Sequence, residues 1–284
     1  MRILNSVKNY IEVLKVRETL LLGFLGLCSA VIAAKGHPDI GTLIFATITI
    51  LIASGGANGL TNYLDRDVDA RMQRTRGRVF PTKRIYPAEK GLVWVLFLIA
   101  VGLTLAWFLH PYVFAADLVG TAAAAFYRKR VICVFPQGVI AGCAPLLMGW
   151  FAVRSDISWE LGLLCLLIAA WLPLHVWSIM VSHREDYIGA GLTFFPMNVS
   201  VRTAVIVLLV FAFALNAVAV SLYFVAGYSL LYLAAAVVLG AAMLYATIRL
   251  VGSHASKDAW KLYKLSSFPY MGLIFIAICL SIWL

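Results

Sequence analysis

Long apolar runs alternate with short polar connections along the whole chain. Nine runs stand out, near residues 18–34, 40–62, 91–109, 112–127, 133–153, 160–181, 203–222, 228–248 and 266–284. A helix rises about 1.5 Å per residue and a bilayer's hydrocarbon core is about 30 Å thick, so roughly 20 apolar residues cross it. Inside a bilayer no water satisfies backbone groups, so such runs must be helical. The pattern therefore predicts an all-α polytopic membrane protein of about nine spans, with the first and fourth short. Residues 1–17 differ: Ile3, Val7, Tyr10, Ile11 and Leu14 recur at helical spacing among Arg2, Lys8, Glu12, Lys15 and Arg17. That spacing predicts an amphipathic helix on the membrane surface rather than a cleavable signal peptide. No soluble domain interrupts the spans, so residues 1–284 are expected to form a single transmembrane domain.

Composition sharpens this picture. Apolar residues make up 63% of the chain and charged ones 13%, and the mean hydropathy is +0.93, against about 45–50% apolar and 25% charged in ordinary globular domains. With the N-terminus placed in the cytoplasm, every Lys and Arg except Lys35 and Arg154 falls on the cytoplasmic side. This is the bias of a multi-pass protein of the cell (inner) membrane. The net charge of +10 is thereby accounted for by topology and by attraction to anionic lipid, with no nucleic-acid partner needed. The five cysteines are scattered through apolar stretches without C-x-x-C spacing, which excludes a disulfide framework and a zinc site.

The chemistry concentrates where the second span ends, at Asn58-Gly-Leu-Thr-Asn62-Tyr-Leu-Asp65-Arg-Asp67-Val-Asp69. If the helix continues, Asn58, Asn62, Asp65 and Asp69 share one face. Like charges four residues apart repel, so Asp65 and Asp69 need a counter-charge. Magnesium, which takes oxygen ligands and completes its shell with water and phosphate, meets that need. Asp67 lies off this face and is expected to pair with Arg71. A second acidic loop, Ser182-His-Arg184-Glu185-Asp186-Tyr, follows the sixth span on the same side. Two carboxylate groups facing each other there could hold a metal-bound diphosphate between them. Within the sixth span, His175 is costly in lipid and must face the bundle interior, either tying two helices together or touching a substrate. Pro173 is expected to kink that helix.

These residues together resemble the UbiA superfamily of intramembrane prenyltransferases, and within it the protohaem IX farnesyltransferases. The resemblance runs through Asn62-Tyr-Leu-Asp65-Arg-Asp-Val-Asp69-Ala-Arg-Met72-Gln-Arg74-Thr75-Arg-Gly-Arg78, Arg128-Lys-Arg130 and Gly142-Cys-Ala-Pro145-Leu-Leu-Met-Gly149-Trp150. It continues through Pro173-Leu-His175-Val-Trp177, Arg184-Glu-Asp186-Tyr187, and Ala259-Trp260-Lys261-Leu-Tyr-Lys264 into the segment ending at Tyr270. It implies nine helices around one central cavity, with Mg2+ as cofactor. Asn62, Asp65 and Asp69 would form the first magnesium site and Asp186 would anchor the second, with Asp65, Asp69 and Asp186 catalytic. Arg78, Lys129, Arg130 and Arg184 would bind diphosphate, and His175 and Trp177 would contact the acceptor. The implied reaction carries a farnesyl group from farnesyl diphosphate to a vinyl group of haem B, forming haem O.

The chain departs from the family pattern at Thr61, Val131, Val134, Leu146 and Leu174, none of them a proposed metal ligand. A diverged member could keep the donor chemistry and use an aromatic quinone precursor as acceptor. A cation-binding transporter would be expected to carry its acids near the bilayer midplane in inverted repeats, rather than at one mouth.

Overall fold

The computed structural model describes residues 2–126 and 134–284, with side chains from residue 6 onward. It is all-helical over those residues. A surface helix α1 (Arg2–Val13) leads into α2 (Val16–Ala33) and α3 (Ile40–Leu64), followed by a short α4 (Arg66–Arg71). Next come α5 (Glu89–Leu109), α6 (Pro111–Ala125), α7 (Gln137–Phe151) and α8 (Trp159–Ser182), then a short α9 (Arg184–Gly189). The chain closes with α10 (Val201–Ala226), α11 (Leu230–Ser253), α12 (Ser256–Leu265) and α13 (Met271–Ile282).

Among the described residues, seven helical segments are long and apolar enough to cross a membrane, α12 and α13 counting as one. The two remaining apolar helices, α6 and α7, have 15 residues each, about 22 Å of rise. The fifth apolar run was expected to be helical from residue 133, but α7 starts only at Gln137, after Phe135-Pro136. The last span also differs. Residues 256–265, which lie outside the expected run at 266–284, form the amphipathic α12, and Ser267 (ψ −138°) and Pro269 break the helix before α13. Three of the helix starts carry side-chain caps of the preferred type: Asp39 accepts from Thr42 N at 2.7 Å, Ser158 from Leu161 N and Ser200 from Thr203 N.

Two groups of helices meet along α2 and α7. On one side α3, α5 and α6 pack together; on the other α8, α10, α11, α12 and α13 enclose the larger core. At the α2–α7 crossing the backbones nearly touch: a Cβ on Gly149 would lie 2.0 Å from Gly26 O. Ser29 Oγ donates across the same contact to Leu146 O at 2.7 Å. Small residues at a helix crossing are what membrane packing uses in place of a hydrophobic driving force. The arrangement brings the ends of α3 and α8, with both acidic loops, to one end of the bundle.

Candidate functional site

The α3 helix ends at Leu64, yet its ladder is barely interrupted, since Asp65 N donates to Thr61 O and Asp69 N to Asp65 O. The face expected from the spacing therefore persists across the bend into α4. Asn62, Asp65 and Asp69 are all buried, at 8%, 2% and 1% exposure. Arg78 Nη1 donates to Asp69 Oδ2 at 2.7 Å, an ion pair with its carboxylate end buried. Asn62 Nδ2 donates to Val13 O at 2.6 Å, while its Oδ1 is buried without a protein partner among the described residues. A cavity of about 190 Å³ opens here, lined by Lys15, Glu18, Asn62, Asp69 and Arg78 among others. The expected fourth member of the face, Asn58, sits deeper and donates to Thr19 Oγ1 at 3.0 Å.

The donor set suits magnesium. Two carboxylates and an amide oxygen are hard ligands, one of them an acceptor left unsatisfied by the protein, and too few for a closed cage. Among the described residues no cluster of three His, Cys, Asp or Glu side chains could hold a metal alone. Water and substrate phosphate would have to complete the shell, as magnesium at phosphate sites requires.

Asp186 comes from across the bundle to the same end. Its Oδ1 accepts from Gln73 N at 2.6 Å and its Oδ2 from Arg74 N at 3.1 Å. Arg74 Nη2 donates to Tyr187 OH at 3.0 Å. The second acidic loop thus docks onto the segment that follows the first, and each Asp186 oxygen keeps a further lone pair. Beyond this contact a cleft of about 590 Å³ is lined by Arg71, Gln73, His183, Arg184, Asp186 and His254, among others.

Other expected side chains are engaged elsewhere. Arg184 donates to Pro196 O, Met197 O and Val199 O at 2.7, 2.9 and 2.6 Å, pinning the turn that leads into α10. Asp67 is exposed and lies 3.9 Å from Arg66 Nε, so its partner is Arg66 and not Arg71, which lines the cleft instead. The His175 ring stacks on Trp171 (centroids 4.8 Å) and faces Tyr263 (4.7 Å), with Nδ1 3.1 Å from Ser266 Oγ at the break before α13. Trp177 points elsewhere, against Phe195 (4.4 Å) and Phe211 (5.6 Å). Two residues apart on a helix means about 200° around its axis, so the pair does not share a surface. Lys129 and Arg130 lie outside the described residues.

Lys15 was read only as part of the surface helix, but it lines the cavity at Asn62, with Nζ donating to Thr61 Oγ1 at 2.9 Å. Its left-handed backbone (φ 51°) turns the chain from α1 into α2. The departure at Thr61 thus acquires a partner on the rim of the site. Over this rim, Arg84 clasps Glu12 with Nη1 to Oε2 at 2.7 Å, and the pairing holds the Glu12 carboxyl below its ordinary range. A second residue that sequence reasoning passed over is Asp117, buried in α6 at 4% exposure; its signal was simply an acid inside an apolar run.

Comparisons with known proteins place the fold and the family. The protoheme IX farnesyltransferase of Desulforudis audaxviator is 34% identical over 286 residues, covering 99% of this chain and 90% of that protein. The one from Thermofilum pendens is 33% identical over 283 residues, covering 97% and 99%. Among solved structures, a UbiA homologue from Archaeoglobus fulgidus bound to GPP and Mg2+ shares the fold with a TM-score of 0.65 at 15% identity, covering 95% of this chain and 99% of that one. The family model for the UbiA prenyltransferase family matches residues 20–268. With that match over most of its length, and with apolar helices that make it an integral membrane protein, the chain belongs to the UbiA prenyltransferase family.

Proposed function

We propose that this protein transfers a farnesyl group from farnesyl diphosphate to a vinyl group of protohaem IX, giving haem O for haem A/O biosynthesis. The observation that carries the donor half is the buried set of Asn62, Asp65 and Asp69 beside Arg78 at the mouth of an apolar bundle. The acceptor half is supported by relatives at 33–34% identity that bear the name of this reaction.

Asn62 Oδ1 and the Asp65 and Asp69 carboxylates would hold magnesium; Asp186 would anchor a second ion through its remaining lone pairs. When bound, the metal supplies Lewis-acid stabilisation to the phosphate oxygens of the leaving group. Arg78 and Lys15 bring cationic donors to the same cavity, and Lys129 and Arg130 would add more by resemblance. Such groups stabilise the charge that develops as the C–O bond of the donor breaks, leaving an allylic cation and pyrophosphate. The surrounding apolar helices would keep water from the cation until the vinyl group attacks it. The new cation next to the porphyrin then takes up water, whose proton is lost, to give a hydroxyethylfarnesyl group. The mouth and N-terminus would face the cytoplasm, a placement supported by the one-sided distribution of Lys and Arg.

Purified protein in proteoliposomes, given farnesyl diphosphate, haem B and magnesium, should yield a pigment with the mass of haem O. Magnesium chelation should stop the reaction. Prenylation of an aromatic quinone precursor, with haem B left unmodified, would refute the acceptor assignment while keeping the donor chemistry.

A further inference from the structure

An acid inside a membrane helix is costly and ordinarily earns its place by tying helices together. Asp117 does not do this. Its Oδ1 accepts from Thr121 Oγ1 at 3.1 Å, one turn along the same helix. Its Oδ2 is buried and meets no partner among the described residues. The carboxyl faces a cavity of about 160 Å³ between α2, α3, α6 and α7, walled by Leu22, Ala57, Gly142 and Pro145 with Ser54 and Thr61 among its few polar groups.

This cavity adjoins the candidate site. Thr61 lines it and receives Lys15, which lines the cavity at Asn62 and Asp69. Along α3, Ser54 lies eleven residues before Asp65, about 16 Å at 1.5 Å per residue. An extended chain of three isoprene units spans a similar distance. One turn along α6 from Asp117 the helices close on each other: a Cβ on Gly120 would lie 2.2 Å from the Ala144 Cβ, so a chain in this cavity does not leave between α6 and α7 at that level.

Resting on the prenyl diphosphate reading above, we propose that Asp117 sets the donor's chain length, by placing a carboxyl where a fourth isoprene unit would lie. A fifteen-carbon tail would end short of the carboxyl. A twenty-carbon tail would press apolar carbons on Oδ2 and strip away any water that satisfies it, and an unsatisfied buried acceptor disfavours that complex by about tenfold or more.

The test uses the full-length protein in detergent or liposomes. Binding is read by competition among geranyl, farnesyl and geranylgeranyl diphosphates, and transfer to haem B is followed in parallel. Wild type should favour the fifteen-carbon donor over the twenty-carbon one by about tenfold or more. Asp117→Val and Asp117→Ala, apolar replacements of different size, should bring that ratio towards one, whereas Asp117→Asn should keep it. Either apolar variant, checked by its melting temperature, suffices for the comparison. An unchanged ratio, or parallel loss of both donors, overturns the assignment of Asp117 alone. Failure of wild type to bind any of the three diphosphates would overturn the donor reading, and this proposal with it.

Discussion

Replacing Asp69 by Asn separates the stabilising and chemical roles of the first acidic cluster. Asp69 is 1% exposed and its partner Arg78 is 32% exposed by side chain, so the pair is buried at one end only. Removing one partner from a fully buried pair costs about 3–5 kcal/mol, and from an exposed pair about 0–1. The half-buried case falls between them, at about 1–2 kcal/mol, because water can take over part of the Arg78 charge. Asparagine keeps the side-chain volume, so no cavity adds to this. The chemical effect should be larger, since the variant loses an anionic ligand and frees Arg78 from its set position. Loss of one positioned group at a site of developing charge costs about 2.7–4 kcal/mol, or a factor of about 10² to 10³ in turnover. The assay follows haem O formation against magnesium concentration, with circular dichroism and melting temperature as the folding check. Asp69→Asn should stay folded, lose turnover by that factor and need more magnesium for half-maximal rate. Folded Asp69→Asn with wild-type turnover and magnesium dependence would refute the role given to this face. Asp67→Asn is the matched control: its side chain is 76% exposed and 3.9 Å from Arg66, so both rate and stability should change little.

Arg184→Lys should lower the melting temperature without changing the Michaelis constant for farnesyl diphosphate, because a single ammonium cannot reproduce three guanidinium bonds to Pro196, Met197 and Val199; kinetics under varied donor concentration would check this, and a selective rise in KM would return Arg184 to the diphosphate. His175→Ala should weaken the junction of α8 with the break before α13, since it removes the stack between Trp171 and Tyr263 and the contact with Ser266; loss of haem binding with an unchanged melting temperature would instead make it an acceptor contact. The Glu12 carboxyl is held below its ordinary range by Arg84, so the clasp contributes fully above the unfolded-state pKa and is lost as pH falls through the lower folded one. Limited proteolysis of α1 should accelerate in acid for wild type and be faster already at neutral pH in Glu12→Gln, with an effect of about 0–1 kcal/mol because the pair is exposed.

Much of the architecture was legible because bilayer thickness and backbone hydrogen bonding leave few options for apolar runs. The third run, expected at 91–109, is α5 at Glu89–Leu109, and the second, expected at 40–62, is α3 at Ile40–Leu64. The helical face at Asn62, Asp65 and Asp69 was legible for a similar reason, since one ladder carries all three. What hydropathy cannot see is amphipathic structure at the membrane end. The lysines of α12 dilute its apolar positions, and the helix escapes a span-length window even though Ala259 and Leu262 are buried. Side-chain partners chosen across the bundle were equally hidden. Asp186 meets Gln73 and Arg74 more than a hundred residues away, and Arg184 is drawn to carbonyls by a turn whose shape no local spacing announces. The separation of His175 from Trp177 was available in principle, because helical geometry alone places them on different sides.

Asp65, Asp69 and Asp117, the acids with less than 5% exposure among the described residues, differ in what surrounds them, and that difference separates their roles. Asp69 has Arg78, and Asp65 stands in the same short ladder, bonded through its backbone to Asp69. Among the described residues Asp117 has only a hydroxyl on its own helix. A bundle built for stability alone would do as well or better with apolar residues at all three positions, since desolvating a charge often exceeds what its pairing returns. Their burial therefore calls for something outside the fold's own energetics. At the mouth, a cation that brings a phosphate would suit two buried carboxylates and an amide oxygen on one helical face beside an arginine. Around Asp117 no second carboxylate, His or Cys converges among the described residues, so a cation is the wrong occupant there. What remains is the effect of a polar wall on an apolar chain, which acts through repulsion of the wrong length rather than attraction of the right one.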